Sequence, residues 1–317
     1  MSTENKEQNI LQFANKIGYH IEEDTAQNIE INYQKIFDFL PELVMLIASY
    51  VVKKTFTRQT AAPKFIKDGI CFLFANMFDD DKQTNGERTP QSQKVMAYVR
   101  VFPYALSHTS LFIKNSRIKA VSVIINADYL KSFLKQDAQQ FQFLFDNDNN
   151  FLIEEIMTDD ILCTVNDIVK REEPRTLNDY HYKLKAMELL FYLFQSLSKR
   201  EKSVHQKLSE IDIKSIYKVR DKIISSLNKP STVFELKQIA GMNELKMRKL
   251  FTQVFGMGIY DYYQHFRMKE ASRLLREEKL SVSEVGYQMG FENLSHFTRV
   301  FEKHIGRKPK KYSSELT

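Results

Sequence analysis

Over roughly the first 145 residues, apolar positions come in short runs rich in β-branched and aromatic side chains. ICFLFANMF (70–78), KVMAYVRVF (94–102) and IKAVSVIIN (118–126) predict strands. In the last run Ile118, Ala120, Ser122 and Ile124 alternate with Lys119, Val121, Val123 and Ile125, so cover on both sheet faces is expected. NADYLKSFL then predicts a short helix starting near Asn126 or Asp128. DDDKQTNGERTP (79–90) has the composition of a loop, and 41–56 fits a strand or a helix equally. The aromatic residues of this half are expected in its core.

From 151 the period changes to that of helices. Ile161, Leu162, Val165, Ile168 and Val169 share one stripe, and Pro174 suits a helix start. In LNDYHYKLKAMELLFYLFQSL the positions Leu177, Tyr180, Leu184, Met187, Phe191 and Phe194 step by 3, 4, 3, 4 and 3, a heptad seam. Such a seam joins two copies of the chain or docks the helix on the β-rich half. SKREKSVHQKLSE (198–210) reads as a helix end and linker.

The last third contains one pattern twice. TVFELKQIAGMN begins at Thr232 and SVSEVGYQMGFE at Ser281, and each has Glu three positions on, at Glu235 and Glu284. That spacing predicts a capping box, each side chain tying down a free amide at the helix start. Gly241 and Gly290 fall nine residues after each cap, where a left-handed backbone ends a helix. The helices that follow end at Gly256 and Gly306, a shift of 50 residues instead of 49, so the second turn carries one extra residue. Met247, Leu250 and Phe251 then align with Phe297, Val300 and Phe301 as inward stripes. Leu245, Arg248, Lys249 and Thr252 remain outside in the first copy, and Ser295, Thr298, Arg299 and Glu302 in the second. These are two helix-turn-helix patterns in matched register. IYDYYQHFRMKEASRLLREEK (259–279) between them predicts a single helix with Tyr263, Phe266, Leu274 and Leu275 turned inward. At about 1.5 Å per residue it is roughly 30 Å long. Neighbouring major-groove faces on one side of a duplex lie about 34 Å apart, so such a spacer suits two reading helices.

Composition narrows the class. Apolar residues make up 43% and charged ones 27%, as in ordinary globular proteins. MSTENKEQNI has neither the basic start nor the apolar run of a signal peptide, and LVMLIASYVV (43–52) is too short to span a bilayer. With Cys71 and Cys163 as the two cysteines, no disulfide framework is expected, and the protein is placed in the cytoplasm, off the membrane. The net charge is +6, yet from Ile216 onward 19 lysines and arginines face 11 acidic residues, a net of +8. A polyanion partner for that third follows.

Residues 216–315 resemble the AraC/XylS-type DNA-binding domain. SVSEVGYQMGFENLSHFTRVFEKHIGRKPKKY is similar to that family's C-terminal signature, with Gly290-Phe291, the spaced aromatics, Gly306, Pro309 and Tyr312. The resemblance implies an α+β protein. Its parts are a β-rich, cupin-like sensing domain (1–150), a helical segment with a possible dimer role (151–212), and an all-α DNA-binding domain of seven helices (216–317). Two helix-turn-helix units, at about 232–256 and 281–306, would be joined by a linker helix. PSTVFELKQIAGMNELKMRKLF and LNDYHYKLKAMELLFYLF resemble the branch with siderophore-responsive regulators, which implies a small-molecule effector. Double-stranded DNA, RNA polymerase and a second copy of the chain are the implied partners of what would be a transcription activator without a cofactor.

Carried onto this sequence, the first reading helix presents Leu245, Arg248 and Lys249, and the second Leu294, Ser295, Thr298 and Arg299. Both arginines can bond guanine bidentately or grip a phosphate, Ser295 and Thr298 suit base edges or backbone oxygens, and the leucines suit thymine methyls or packing. Lys246, Lys308, Lys310 and Lys311 face phosphates or solvent, and His296 is expected as a partly exposed helix residue. Lys237 stands where the family has a small residue, so it snorkels or the first unit packs differently. Ser313 replaces a common basic residue, which is expected to remove one phosphate contact.

Catalytic patterns are missing from the sequence: it has no glycine-rich phosphate loop, zinc spacing, G-x-S-x-G or H-E-x-x-H. His108 and His181 are isolated, and Asp79, Asp80 and Asp81 read as a solvated loop. Cys71 and Cys163 sit in apolar patterns and are expected to be buried and inert. The alternatives are an enzyme or alkyl-accepting protein with a DNA-binding tail, and a sequence-blind architectural DNA binder.

Overall fold

The computed structural model describes residues 27–40, 43–60, 68–79, 97–106, 108–146, 150–169, 176–200 and 205–314. The chain is α+β and divides between Glu210 and Ile211 into two compact units. In the first, β1 (Ile29–Leu40), β2 (Leu43–Val52), β4 (Gly69–Asp79), β5 (Tyr98–Pro103), β7 (Ser116–Asn126) and β8 (Ile153–Ile156) form an antiparallel sheet in the order β1-β2-β7-β4-β5-β8. β3 (Phe56–Thr60) and β6 (His108–Phe112) pair separately. Positions 80–90 of the expected loop, with Asp80 and Asp81, lie outside the described residues, as do 94–96 and Pro174.

The stretch that fitted strand or helix equally contains β2. Leu43, Met45 and Ile47 are buried on one face, Val44 and Val52 on the other. A strand covered on both sides has no polar positions to show its period. β7 repeats this, with Val121, Val123 and Ile125 on one face and Ile118 and Ile124 on the other, all buried. On the second face Tyr50 approaches Phe112 of β6 at 6.3 Å, and Phe112 stacks on Phe56 at 4.8 Å. Burial, then the neighbouring Tyr98, pushes the Tyr50 hydroxyl well above the usual tyrosine range.

Helices cover the first face. α1 (Ala127–Leu134) starts where expected, with Asn126 Oδ1 accepting from the Tyr129 amide at 2.9 Å. α2 (Asp159–Val169) and α3 (Asn178–Leu197), expected as a segment of their own, share the sheet's core. Ile161, Val165, Tyr182, Ala186, Leu189 and Leu193 pack with Phe37, Met45, Phe72 and Val123. β8 is a four-residue edge strand clamped from α3's end. Arg200 Nε donates to Glu155 at 2.7 Å, its Nη2 donates to the Glu154 carbonyl at 2.8 Å, and Arg100 Nε donates to the Glu154 carboxylate at 2.8 Å.

Two expectations change. The heptad seam of α3 is not its docking face. Phe194 is buried and Met187 partly so, but Leu177, Tyr180, Leu184 and Phe191 are exposed, the last at 62%. The sheet takes the stripe Tyr182, Ala186, Leu189, Leu193 instead, where the small Ala186 and the Phe37–Tyr182 stack at 4.2 Å bring helix and strand together. Cys163 is exposed, because Ile161, Thr164, Val165 and Ile168 form the inward stripe of α2. Cys71 is buried as expected, its thiol pushed up to about 12 by burial.

The second unit has seven helices among the described residues: α4 (Glu210–Ser225), α5 (Val233–Ala240), α6 (Glu244–Phe255), α7 (Ile259–Glu277), α8 (Val282–Gln288), α9 (Leu294–Ile305) and α10 (Pro309–Ser314). No described helix is long and apolar enough to cross a membrane. Leu189→Ala is expected to cost about 2–5 kcal/mol in urea unfolding followed by circular dichroism. A loss under about 1 kcal/mol would remove α3 from the core.

Candidate nucleic-acid interface

Both capping boxes form. Thr232 Oγ1 accepts from the Glu235 amide at 3.2 Å while the Thr232 amide donates to Glu235 Oε2 at 2.9 Å; at Ser281 and Glu284 the same bonds measure 3.2 and 2.8 Å. These bonds hold the Glu235 and Glu284 carboxyls below the usual range. Gly241 and Gly290 are left-handed, with φ of 62° and 75°. The reading helices α6 and α9 start at asparagines that the sequence reading passed over. Asn243 Oδ1 accepts from the Lys246 amide at 2.8 Å, and Asn293 Oδ1 accepts from the amides of Ser295 and His296 at 2.8 and 3.1 Å. From cap to cap, Thr232 to Asn243 is one residue shorter than Ser281 to Asn293, so the extra residue sits in the second turn.

Each reading helix turns its expected stripe inward. Met247, Leu250, Phe251, Phe297 and Phe301 are buried and Val300 partly so. α7 serves both units. At one end Tyr262 meets Phe251 at 5.3 Å, Phe255 at 5.1 Å and Phe266 at 4.7 Å. At the other, Met268, Ala271, Leu274 and Leu275 join Val285, Met289, Phe291, Phe297 and Phe301 in one cluster.

What remains outside is polar and basic. Arg248, Lys249, Ser295 and Arg299 are exposed, Thr298 is half-buried, and Leu245 is 65% exposed. Arg248 Nε donates to Glu244 at 2.7 Å one turn earlier, a half-exposed pair worth about 0.3–0.5 kcal/mol and easily exchanged for a phosphate. Lys246 pairs with Asp212 at 2.7 Å. Lys308, Lys310 and Lys311 are exposed, and His296, also exposed, lies edge-on to Phe291 at 5.6 Å. Leu294, like Thr298, is half-buried, and its Cδ2 lies where a β-carbon on Gly286 would need to be. The bare glycine leaves room for Leu294 to pack against α8. Lys237, at the matching position of the first unit, is half-buried.

The sequence reading also missed Arg267, which is 7% exposed. Its Nε and Nη2 both donate to the Met289 carbonyl, at 2.9 and 2.6 Å, and its guanidinium lies 3.7 Å from the Phe291 ring and 5.5 Å from that of Tyr263. No carboxylate among the described residues pairs with it. A desolvated cation over an aromatic face gains about 2 kcal/mol. A single cation inside the apolar stripe Tyr263, Phe266, Ala271, Leu274 was the available signal.

A helix-turn-helix domain family matches residues 236–315. Residues 236–315 thus form a helix-turn-helix domain. The regulatory protein PchR of Pseudomonas aeruginosa is 32% identical over 99 residues, 31% of this chain and 33% of that protein. The transcriptional regulator GlxA of Rhizobium meliloti is 29% identical over 91 residues, 29% of this chain and 28% of that one. The transcriptional activator RhaR of Escherichia coli is 27% identical over 126 residues, 39% of this chain and 45% of that one. The chain thus spans less than half the length of each of these relatives. Among solved structures, an AraC-type regulator of Chromobacterium violaceum is 19% identical with a TM-score of 0.31, over 33% of this chain and 94% of that one.

The helix-turn-helix domain carries an acid-sensitive residue. His265 on α7 is mostly buried, edge-on to Phe266 at 5.2 Å, and its Nε2 lacks a hydrogen-bond partner among the described residues. Burial first, then Lys269 and His304, lowers its pKa from 6.5 to about 4. Between those values the unfolded chain holds the proton and the folded one does not. His265 therefore costs stability as pH falls from about 6.5 to about 4 and nothing above. In thermal melts at pH 7 and 4.5, His265→Gln is expected to narrow the difference; an unchanged difference would contradict this.

Proposed function

We propose that the protein is a sequence-specific DNA-binding transcription regulator whose two reading helices enter adjacent major grooves. One observation carries this reading: two matched units bury their apolar stripes and leave basic, polar faces outside. The 19 residues of α7 support it, since at about 1.5 Å each they span roughly 28 Å, close to the groove repeat of about 34 Å. Arg248 and Arg299 are assigned to guanine or phosphate, Ser295 and Thr298 to base edges or backbone oxygens, and Lys249 to phosphate. Leu245, exposed at the start of α6, is assigned to a thymine methyl. The names of the relatives, regulators and an activator, favour action on transcription through RNA polymerase at a nearby promoter.

The first unit is assigned the regulatory role. An open hollow of about 620 Å³, lined by Tyr33, Ser49, Arg117, Lys119 and Val169, lies where the sheet face runs past the end of α2, and is one place for a small-molecule effector. A siderophore is the first class to test, on the sequence resemblance. The exposed seam of α3 is assigned to a second copy of the chain. Its heptad spacing is complementary to itself, and an effector acts by binding the arrangements of the two copies unequally.

The full-length protein should select a defined site from a random duplex pool, with binding that falls steeply with salt. Arg299→Ala should weaken that site by about 1–3 kcal/mol and relax the preference at one base pair. Binding to random duplex as tight as to the selected site would replace this reading with an architectural role. In sedimentation velocity the wild type should be dimeric at tens of micromolar, and Leu184→Asp with Phe191→Asp monomeric with unchanged circular dichroism. A monomeric wild type would remove the assignment of the seam.

A further inference from the structure

Three parts of the second unit that are distant in sequence meet at one point. The loop after α4, which leads into the first helix-turn-helix, supplies the carbonyls of Leu227 and Asn228. The turn of the second unit supplies Met289, Gly290 and Phe291. The linker helix α7 supplies Tyr263 and Arg267, one turn apart on the same face. Tyr263 donates its hydroxyl to the Leu227 carbonyl at 3.0 Å, in a buried bond. Arg267 donates twice to the Met289 carbonyl, and its guanidinium lies over the Phe291 ring. Gly290 has its backbone against the Asn228 carbonyl, so close that a β-carbon there would collide with it. The turn of the second helix-turn-helix is therefore tied to the linker and set against the loop that leads into the first helix-turn-helix.

We propose that Arg267, with Tyr263 and Gly290, is a positioning residue that fixes the separation and rotation of α6 relative to α9, and so the spacing between the two boxes of a DNA site. The statement about DNA rests on the regulator reading above; that about the helices does not. Apolar packing alone holds α7 against each unit but tolerates sliding, because such contacts have no direction. The forked guanidinium is directional: it has two donors on one oxygen, and it lies over an aromatic ring. It also lies where a sliding turn would have to leave both partners. One base pair between the boxes changes their separation by about 3.4 Å and their rotation by roughly a tenth of a turn, which a locked pair of helices cannot follow.

The test uses the full chain with Cys163→Ser, spin labels on cysteines at Gln238 and Lys303, and pulsed electron resonance without DNA. These two side chains are exposed and lie in different units, and Cys71 is buried. The wild type should give one narrow distance, and Arg267→Met a broad distribution. Tyr263→Phe, which loses only a hydroxyl, should broaden it less, and decides the matter if the methionine variant fails to fold. In a second arm, the site selected by the wild type is compared with the same site carrying one inserted base pair. The insertion should weaken wild-type binding about tenfold or more, and Arg267→Met should lose most of that penalty. Wild-type distances and a wild-type insertion penalty in the variants would overturn the proposal. A wild type that selects no site at all would sink the regulator reading, while the label distances would still decide the role of Arg267.

Discussion

A cation buried on an aromatic ring ties the linker helix to the turn of the second helix-turn-helix. Removing Arg267 from water is costly, and no carboxylate among the described residues offsets that cost. What offsets it is local: the Met289 carbonyl takes both donors, and Phe291 and Tyr263 provide their faces. Met289 and Phe291 flank the left-handed Gly290, so the turn that aims the second reading helix is gripped from both sides. The aromatic cluster around Tyr262 does the same for the first helix-turn-helix by packing alone. One helix thus belongs to two cores, and the basic faces of α6 and α9 are what those cores leave over.

The first unit shows the opposite economy on α3. A helix with two apolar stripes can bury only one against a flat sheet. The stripe that brings an alanine to the contact wins, because the backbone can then approach closely. The other stripe, Tyr180 to Phe191, stays outside as an apolar patch on a polar surface, and patches of that kind mark contacts between molecules. The helix is thereby a carrier between the sheet it rests on and whatever covers its far side.

How far the sequence could be read depended on whether each signal was local. Capping boxes, helix-ending glycines and inward stripes concern residues a few positions apart, and all of them were legible. So were most of the exposed positions of α6 and α9, although Thr252 and Thr298 are half-buried and Leu294 turns inward beside Gly286 of another helix. The strand β2 was not legible, because burial on both faces erases its period. The choice between the stripes of α3 was decided by a sheet that no heptad count contains. Cys163 was misjudged for the same reason: its neighbours are apolar, but the stripe beside it is the one that faces in. Arg267 meets residues more than twenty positions away, and only its isolation among apolar neighbours hinted at it.

The two helix-turn-helix patterns share their caps, glycines and inward stripes, and the second carries one extra residue in its turn. That residue, with Lys237 in one copy where the other has Gly286, makes the two halves unlike. Two unlike halves in a fixed order have no symmetry axis of their own. A tool of that shape fits its track one way round, so each bound molecule would carry a sense of upstream and downstream that a symmetric pair of readers has to borrow from elsewhere.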